Sequence, residues 1–102
     1  METKRAGLRI NNAIYENVPP QDIELEEAIL GALILERDAI TRVDLQPEVF
    51  YKESHQMIFN AIIQLNEEGK NIDLITVTTH LKNNRLLKKL GGPGEITRLT
   101  RR

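Results

Sequence analysis

The amino-acid sequence predicts an all-α protein: a small orthogonal bundle around a central helix at about Glu53–Glu68, with no β-sheet. Within the central segment, apolar side chains recur at helical spacing on one face, and polar side chains fall on the opposite face. The residues of the apolar face are His55, Ile58, Phe59, Ile62 and Leu65. Gly69 follows directly and supplies the left-handed conformation that ends many helices. No other segment alternates with the period of two that a partner strand requires.

The first seventeen residues are polar and aperiodic, and we expect residues 1–17 to form a flexible N-terminal arm. The apolar side chains of this arm are too scattered to build an element. They are Leu8, Ile10, Ile14 and Tyr15. Pro19 and Pro20 then favour an extended backbone and prevent an earlier helix start. The folded domain is therefore expected at residues 18–100.

A first helix is predicted at about Ile23–Leu35, with Asp22 as its N-cap. Three carboxylates in its first turns would complement the positive end of the helix dipole. They are Glu24, Glu26 and Glu27. Two adjoining faces are expected to be buried, with Leu25, Ile29, Ala32 and Leu33 on one and Ile23, Leu30 and Ile34 on the other. Gly31 lies inside the helix at a cost of about 1 kcal/mol relative to Ala, which indicates close packing against a neighbouring helix.

Two short helical turns are predicted before the central helix. Asp38 is expected to cap the first, which runs through Val43, and Pro47 suits the first position of the second. Phe50 and Tyr51 follow, and we expect them to pack against the start of the central helix.

The segment from Leu74 to Thr79 is rich in β-branched residues and has the composition of a strand. Against this, Asp73 is a good N-cap, and Leu74, Val77 and Leu81 have helical spacing. A lone strand would also have no partner. We therefore predict a helix from Leu74 to about Lys82.

The C-terminal region is predicted to contain a short helical turn and a last helix. Asn83 and Asn84 end the preceding helix, and the turn runs from Arg85 to Leu90 before Gly91 and Gly92. The last helix is expected at Glu95–Thr100.

Composition limits the class of protein. The chain has 102 residues, which is one domain at most, and no Cys, which excludes disulfides and thiolate metal sites. It shows neither the apolar core of a signal peptide nor an apolar run of the roughly 18–20 residues that a membrane span needs. We expect a cytoplasmic protein.

The charges are segregated along the chain. Residues 16–69 carry three basic and twelve acidic side chains, a balance of −9, whereas residues 70–102 carry eight basic and two acidic, a balance of +6. This segregation is typical either of a face for a charged partner or of an ordinary solvated surface. The basic set is a candidate for phosphate contacts, but it has no interleaved aromatic residues. It consists of Lys82, Arg85, Lys88, Lys89, Arg98, Arg101 and Arg102.

No residue pattern indicates catalysis. Gly91-Gly92-Pro93-Gly94 lacks the Lys-Ser/Thr of a P-loop and follows no strand, so we expect no ATP hydrolysis by this chain. His55 and His80 are 25 residues apart without matching carboxylates, which favours core-edge or surface histidines over a metal site or catalytic pair. No metal or other cofactor is expected, and no residue set supports a small enzyme.

Four segments, taken in order, resemble the N-terminal domain of bacterial replicative DNA helicases, the DnaB family. The resemblance covers about residues 18 to 92. Its segments are Val18–Glu26 with Ile29–Leu35, Asp44–Tyr51 with His55–Phe59, Gly69–Val77, and Leu81 with Leu86 and Gly91-Gly92.

The resemblance implies a non-catalytic module for ring assembly and for docking the C-terminal domain of the primase. Members of this family are homohexamers that unwind DNA with ATP and magnesium, which bind to an ATPase domain that also makes most of the DNA contact. Their N-terminal domain is an all-α head followed by a two-helix hairpin. This chain is expected to be the head alone, without hairpin or ATPase domain, and to be a monomer or weak dimer.

Candidate partner-facing residues are Glu24 at the start of the first helix and the basic group Arg85, Lys88 and Lys89. Helix-dipole complementation also explains Glu24 and is favoured over a partner contact. The alternative function is an electrostatic DNA-binding module that uses the basic C-terminal third.

Overall fold

The structure, a computed structural model, describes residues 22–101 and is all-α over that range. Four helices follow one another: α1 at Ile23–Leu35, α2 at Glu53–Glu67, α3 at Leu74–Asn83 and α4 at Pro93–Leu99. Two 3-10 turns, Ala39–Arg42 and Pro47–Val49, connect α1 to α2. No strand occurs within the described residues, which confirms the predicted fold class. The predicted flexible arm, residues 1–17, lies outside the described residues.

Helix α2 is the centre of the domain, as its sequence pattern predicts. It packs against α1, α3 and both 3-10 turns. Its predicted apolar face is fully buried, and Ile62 has no exposed surface. Gly69 ends the segment with φ +72, a conformation that costs little without a Cβ. The remaining elements therefore assemble around one buried helix.

The start of α2 is fixed by an aromatic pair. Phe50 is 1% exposed, and its ring centroid lies 5.1 Å from that of Phe59 with the rings tilted by 44°. Tyr51, which was expected to pack here as well, is 57% exposed and contributes only its backbone. Phe50 alone supplies the predicted packing at this point.

Helix α1 has its predicted bounds, and Asp22 caps it by accepting a hydrogen bond from the backbone N–H of Leu25 at 3.2 Å. Of its two predicted buried faces, the one with Leu30 and Ile34 is buried at both residues, and the other is buried at Leu33 but exposed at Leu25. The core-facing side carries Leu30, Gly31, Leu33 and Ile34, together with Glu26 and Glu27. Leu25 is 45% exposed, whereas Ile29 and Ala32 are half-buried and Ile29 packs against the core.

The ambiguous segment after Gly69 is helix α3, as predicted. Asp73 and Thr76 form a capping box in which the Asp73 carboxylate accepts from the Thr76 N–H at 2.8 Å. The Thr76 hydroxyl in turn accepts from the Asp73 N–H at 2.9 Å. Val77 and Leu81 have no exposed surface. These caps and contacts outweigh the low helix propensity of the β-branched side chains.

Two predictions about the short elements are wrong. Asp38 does not cap through its side chain, because its backbone is left-handed with φ 62. Helix α4 begins at Pro93 rather than Glu95, since proline suits a first helical position where no N–H bond is needed. The segment from Arg85 to Leu90 forms hydrogen-bonded turns.

Candidate partner-binding surface

Four exposed cations lie on and beside the turn that joins α3 to α4. We call them the basic turn: Lys82, Arg85, Lys88 and Lys89. Hydrophobic residues between the cations hold the segment against the core, with Leu86 and Leu87 half-buried and Leu90 buried. The Leu86 N–H also donates to the Leu81 carbonyl at 2.8 Å. The structure thus places the predicted candidates Arg85, Lys88 and Lys89 on one anchored segment.

The cations of the basic turn have no acidic partner within residues 22–101. None of the four forms an ion pair with a carboxylate in the part of the chain that the structure describes. Arg85 has a left-handed backbone with φ 62, which is uncommon for a side chain with a Cβ. The turn therefore presents positive charge to solvent and not to its own domain.

Arg98 differs from the other basic residues of the C-terminal third. Its guanidinium donates to the Glu27 carboxylate at 2.9 Å and to the Glu95 carboxylate at 3.1 Å. The hydrogen bond that Arg98 donates to Glu27, followed by the one it donates to Glu95, raises the pKa of Arg98 above its ordinary value. Arg98 thus ties α4 to α1, so the predicted basic set is not one continuous surface.

A buried carboxylate joins α1 to the start of α2. Glu26 accepts hydrogen bonds from the backbone N–H groups of Tyr51, at 2.6 Å, and Lys52, at 3.3 Å. Its Oε1 also lies 2.8 Å from Nδ1 of His55, which is 2% exposed. The predicted role of Glu26 and Glu27 as charges near the helix start is therefore incomplete, because both are tied to other helices.

Glu24 behaves differently from its two acidic neighbours. It is exposed on α1, and no hydrogen bond or ion pair within the described residues joins it to the basic turn. Three of the four candidate residues, Arg85, Lys88 and Lys89, therefore lie together in the basic turn, and Glu24 lies on a different element, α1.

The two histidines have different partners. His55 contacts Glu26, and Nε2 of His80 lies 2.7 Å from the Gln64 amide oxygen, which links α3 to α2. Among residues 22–101, no three His, Cys, Asp or Glu side chains are arranged to hold a metal ion. No helix in that range has both the length and the apolar character to cross a membrane.

Comparison with known proteins gives a consistent result. The family model described as "DnaB-like helicase N terminal domain" matches residues 18–102. The replicative DNA helicase DnaC of Bacillus subtilis (strain 168) is 41% identical over 90 residues, covering 86% of this chain and 20% of that protein. The replicative DNA helicase DnaB of Rhodothermus marinus is 45% identical over 87 residues, covering 83% and 9%.

The fold has a counterpart of known structure. The N-terminal domain of DnaB helicase from Mycobacterium tuberculosis matches with a TM-score of 0.76 and 36% identity, covering 81% of this chain and 59% of that chain. The chain spans a fifth or less of the length of the two helicases named above. By sequence and by fold, the chain belongs to the DnaB-like helicase N-terminal domain family.

Proposed function

We propose that this chain acts in DNA replication as the N-terminal module of a replicative DNA helicase. In this role it is non-catalytic: it supports assembly of the helicase ring and docks the C-terminal domain of the primase. The observation that carries the proposal is the match to the family over residues 18–102, together with the structural similarity at 36% identity. ATP, magnesium and most DNA contacts belong to the ATPase part of the parent protein, a cytoplasmic homohexamer.

The structure supports a docking role through the basic turn. Its cations are exposed, lack described carboxylate partners and are held in place by leucines of the core. An anchored positive surface favours a partner with complementary negative charge and increases the rate of encounter. We assign the principal primase contact to Arg85, Lys88 and Lys89, with Glu24 as a secondary contact.

A pull-down with the cognate primase C-terminal domain tests the docking role. The full chain is expected to retain the primase domain, and Lys88→Glu/Lys89→Glu is expected to weaken binding about tenfold or more because it reverses two charges at the contact. Lys70→Glu is the matched control, since Lys70 is exposed, lies outside the basic turn and pairs with Glu68 at 3.1 Å. Equal retention of the two variants would contradict the assignment, and no retention of the full chain would contradict docking.

Sedimentation of the chain tests its oligomeric state. We expect a monomer or weak dimer, because in the proposed parent the ring depends on further parts of the polypeptide. A stable hexamer of this chain would contradict that expectation.

The unpartnered basic turn also favours a second candidate function, electrostatic binding of DNA. Four phosphate contacts would give a slope of log K against log salt concentration of about −3.6 on duplex DNA and about −2.8 on single strands. Titration of labelled single-stranded and duplex DNA at low and moderate salt measures this slope. No binding at low salt would exclude the function, and unchanged binding by Lys88→Glu/Lys89→Glu would exclude the basic turn as its site.

A further inference from the structure

A small cavity lies between the start of α2 and helix α4. The space in it that is open to the centre of a water molecule is about 10 Å³. About 10–15 Å³ of such space holds one water molecule, so the cavity fits a single water and no larger ligand. We call it the α2–α4 cavity. Its apolar lining consists of Ile58, Leu90 and Leu99, which are all buried.

The remaining lining of the cavity is polar or charged, and His55 is its buried member, with 2% of its surface exposed. Nδ1 of His55 lies against Glu26, which does not line the cavity, so the cavity meets another edge of the ring. Within residues 22–101, no group forms a hydrogen bond with Nε2 of His55. Because a buried polar atom without a partner is unfavourable, Nε2 requires one.

We propose that the α2–α4 cavity binds one water molecule, which forms a hydrogen bond with Nε2 of His55. The size of the cavity selects a water, and the buried ring nitrogen supplies the reason to hold it. A water molecule both donates and accepts hydrogen bonds. It therefore satisfies Nε2 whichever nitrogen of the ring carries the proton.

Two further side chains of the lining complete the site for a water. Ser54 is half-buried, and its hydroxyl forms no hydrogen bond with another residue in the described part of the chain. Oε1 of Glu95 accepts from Arg98 at 3.1 Å, which leaves Oε2 of Glu95 to accept from the water. A buried water typically makes about three hydrogen bonds, so His55, Ser54 and Glu95 together are sufficient.

The two cations of the lining have other partners. Arg98 donates to Glu27 at 2.9 Å and to Glu95 at 3.1 Å. Lys52 is exposed, so solvent hydrates its ammonium group. Neither side chain is therefore available to Nε2 of His55.

The water connects the last helix to the contact between the first two. His55 lies on α2 and contacts Glu26 of α1, whereas Glu95 lies on α4. A water that bridges His55 and Glu95 therefore extends the hydrogen-bond network of Glu26 to α4. The inference stands independently of the proposed function.

A high-resolution crystal structure of the natural chain tests the inference directly. We expect one ordered water in the α2–α4 cavity, with its oxygen within about 3.2 Å of Nε2 of His55. Direct contact of the Glu95 carboxylate with Nε2 would overturn the proposal. A cavity without electron density would also overturn it.

Magnetisation transfer from water to methyl groups tests the inference in solution. The side chains of Ile58 and Leu99 line the cavity, so nuclear Overhauser signals from water to their methyl groups are expected. The matched controls are Ile62 and Val77, which have no exposed surface and lie outside the cavity lining. Their methyl groups should receive no signal from water. Signals of equal strength at all four residues, or at none, would overturn the proposal.

A variant separates a bound water from an exchanging hydroxyl. The Ser54 hydroxyl lines the cavity, and its proton exchanges with solvent and can imitate the signal of a water. Ser54→Ala removes this hydroxyl and leaves His55 and Glu95 as partners of the water. The signal at Leu99 is therefore expected to persist in Ser54→Ala. Its loss would overturn the proposal, because the hydroxyl would then be the source.

Discussion

Nδ1 of His55 lies 2.8 Å from Oε1 of Glu26, although 29 residues separate the two in the sequence. The same carboxylate accepts the N–H groups of Tyr51 and Lys52. One side chain of α1 therefore accepts two backbone N–H groups and contacts a ring nitrogen of His55 at the start of the central helix. Charge-assisted hydrogen bonds of this kind are about twice as strong as neutral ones.

Glu26→Ala is expected to destabilise the domain by about 3 kcal/mol, because it leaves the part-buried N–H of Tyr51 and the buried ring nitrogen of His55 without their hydrogen-bond partner. Urea unfolding measures the change. Glu24→Ala is the matched control, since Glu24 lies two positions earlier on α1 and is exposed. Its effect should stay within about 0.5 kcal/mol. Equal effects of the two substitutions would contradict the role of Glu26.

The ion pair between Glu27 and Arg98 is expected to contribute less. The Arg98 side chain is 45% exposed, so a double-mutant cycle of Glu27→Gln and Arg98→Gln should give a coupling energy of about 0.5–1 kcal/mol. Arg101→Gln, an exposed arginine outside the pair, is the control. A coupling energy of zero would mean that α4 is held by its apolar side chains alone.

The contribution of Arg98 should not vary with pH near neutrality. Its carboxylate partners raise its pKa, so the contribution is complete below the pKa of the unfolded chain and is lost only as pH rises through the folded-state pKa. The difference in unfolding free energy between the natural chain and Arg98→Gln is therefore expected to be constant from about pH 7 to 10. A decline within this range, measured by urea unfolding, would contradict the assignment.

The capping box of α3 gives a prediction about the ambiguous segment. Asp73→Ala removes the acceptor for the Thr76 N–H and should cost about 1 kcal/mol. Asp73→Asn, which keeps an acceptor oxygen, should cost clearly less. Thermal unfolding measured by circular dichroism compares the two, and equal losses would contradict the capping role.

Burial predicts a large difference between two isoleucines. Ile62 has no exposed surface on α2, so Ile62→Ala should cost about 2–5 kcal/mol through lost contacts and a residual cavity. Ile75 is 75% exposed on α3, so Ile75→Ala should change stability by less than about 0.5 kcal/mol. Urea unfolding measures the free energy of unfolding of both variants. Similar losses would contradict the difference in burial between the two side chains.

The sequence predicts the helices well where apolar periodicity is strong. Helix α1 has its predicted bounds, and α2 ends one residue before the predicted limit, because both repeat apolar residues at helical spacing. For α3, side-chain branching favours a strand and the capping residues favour a helix. The capping box shows that the residues before and at the helix start decide that conflict.

The misses come from two physical sources. The expected start of the last helix at Glu95 excludes Pro93, although the lack of an N–H in proline is harmless at a first helical position; that signal is present in the sequence. The contacts of Glu26 with His55 and of Glu27 with Arg98 join residues that are 29 and 71 positions apart. No local sequence pattern indicates such contacts. Interaction with the helix dipole is a sufficient local explanation for two acidic residues near a helix start, so the sequence does not indicate their contacts with other helices.

The bond between Glu27 and Arg98 connects the second turn of the first helix to the last turn of the final one. The two ends of the described region are therefore brought near each other on neighbouring helices. A pull applied at those ends would load this ion pair early, before it strained the centre of the domain. For the same reason, a circular permutant that joins the two ends through a short linker and begins in another loop would keep the same contacts between helices.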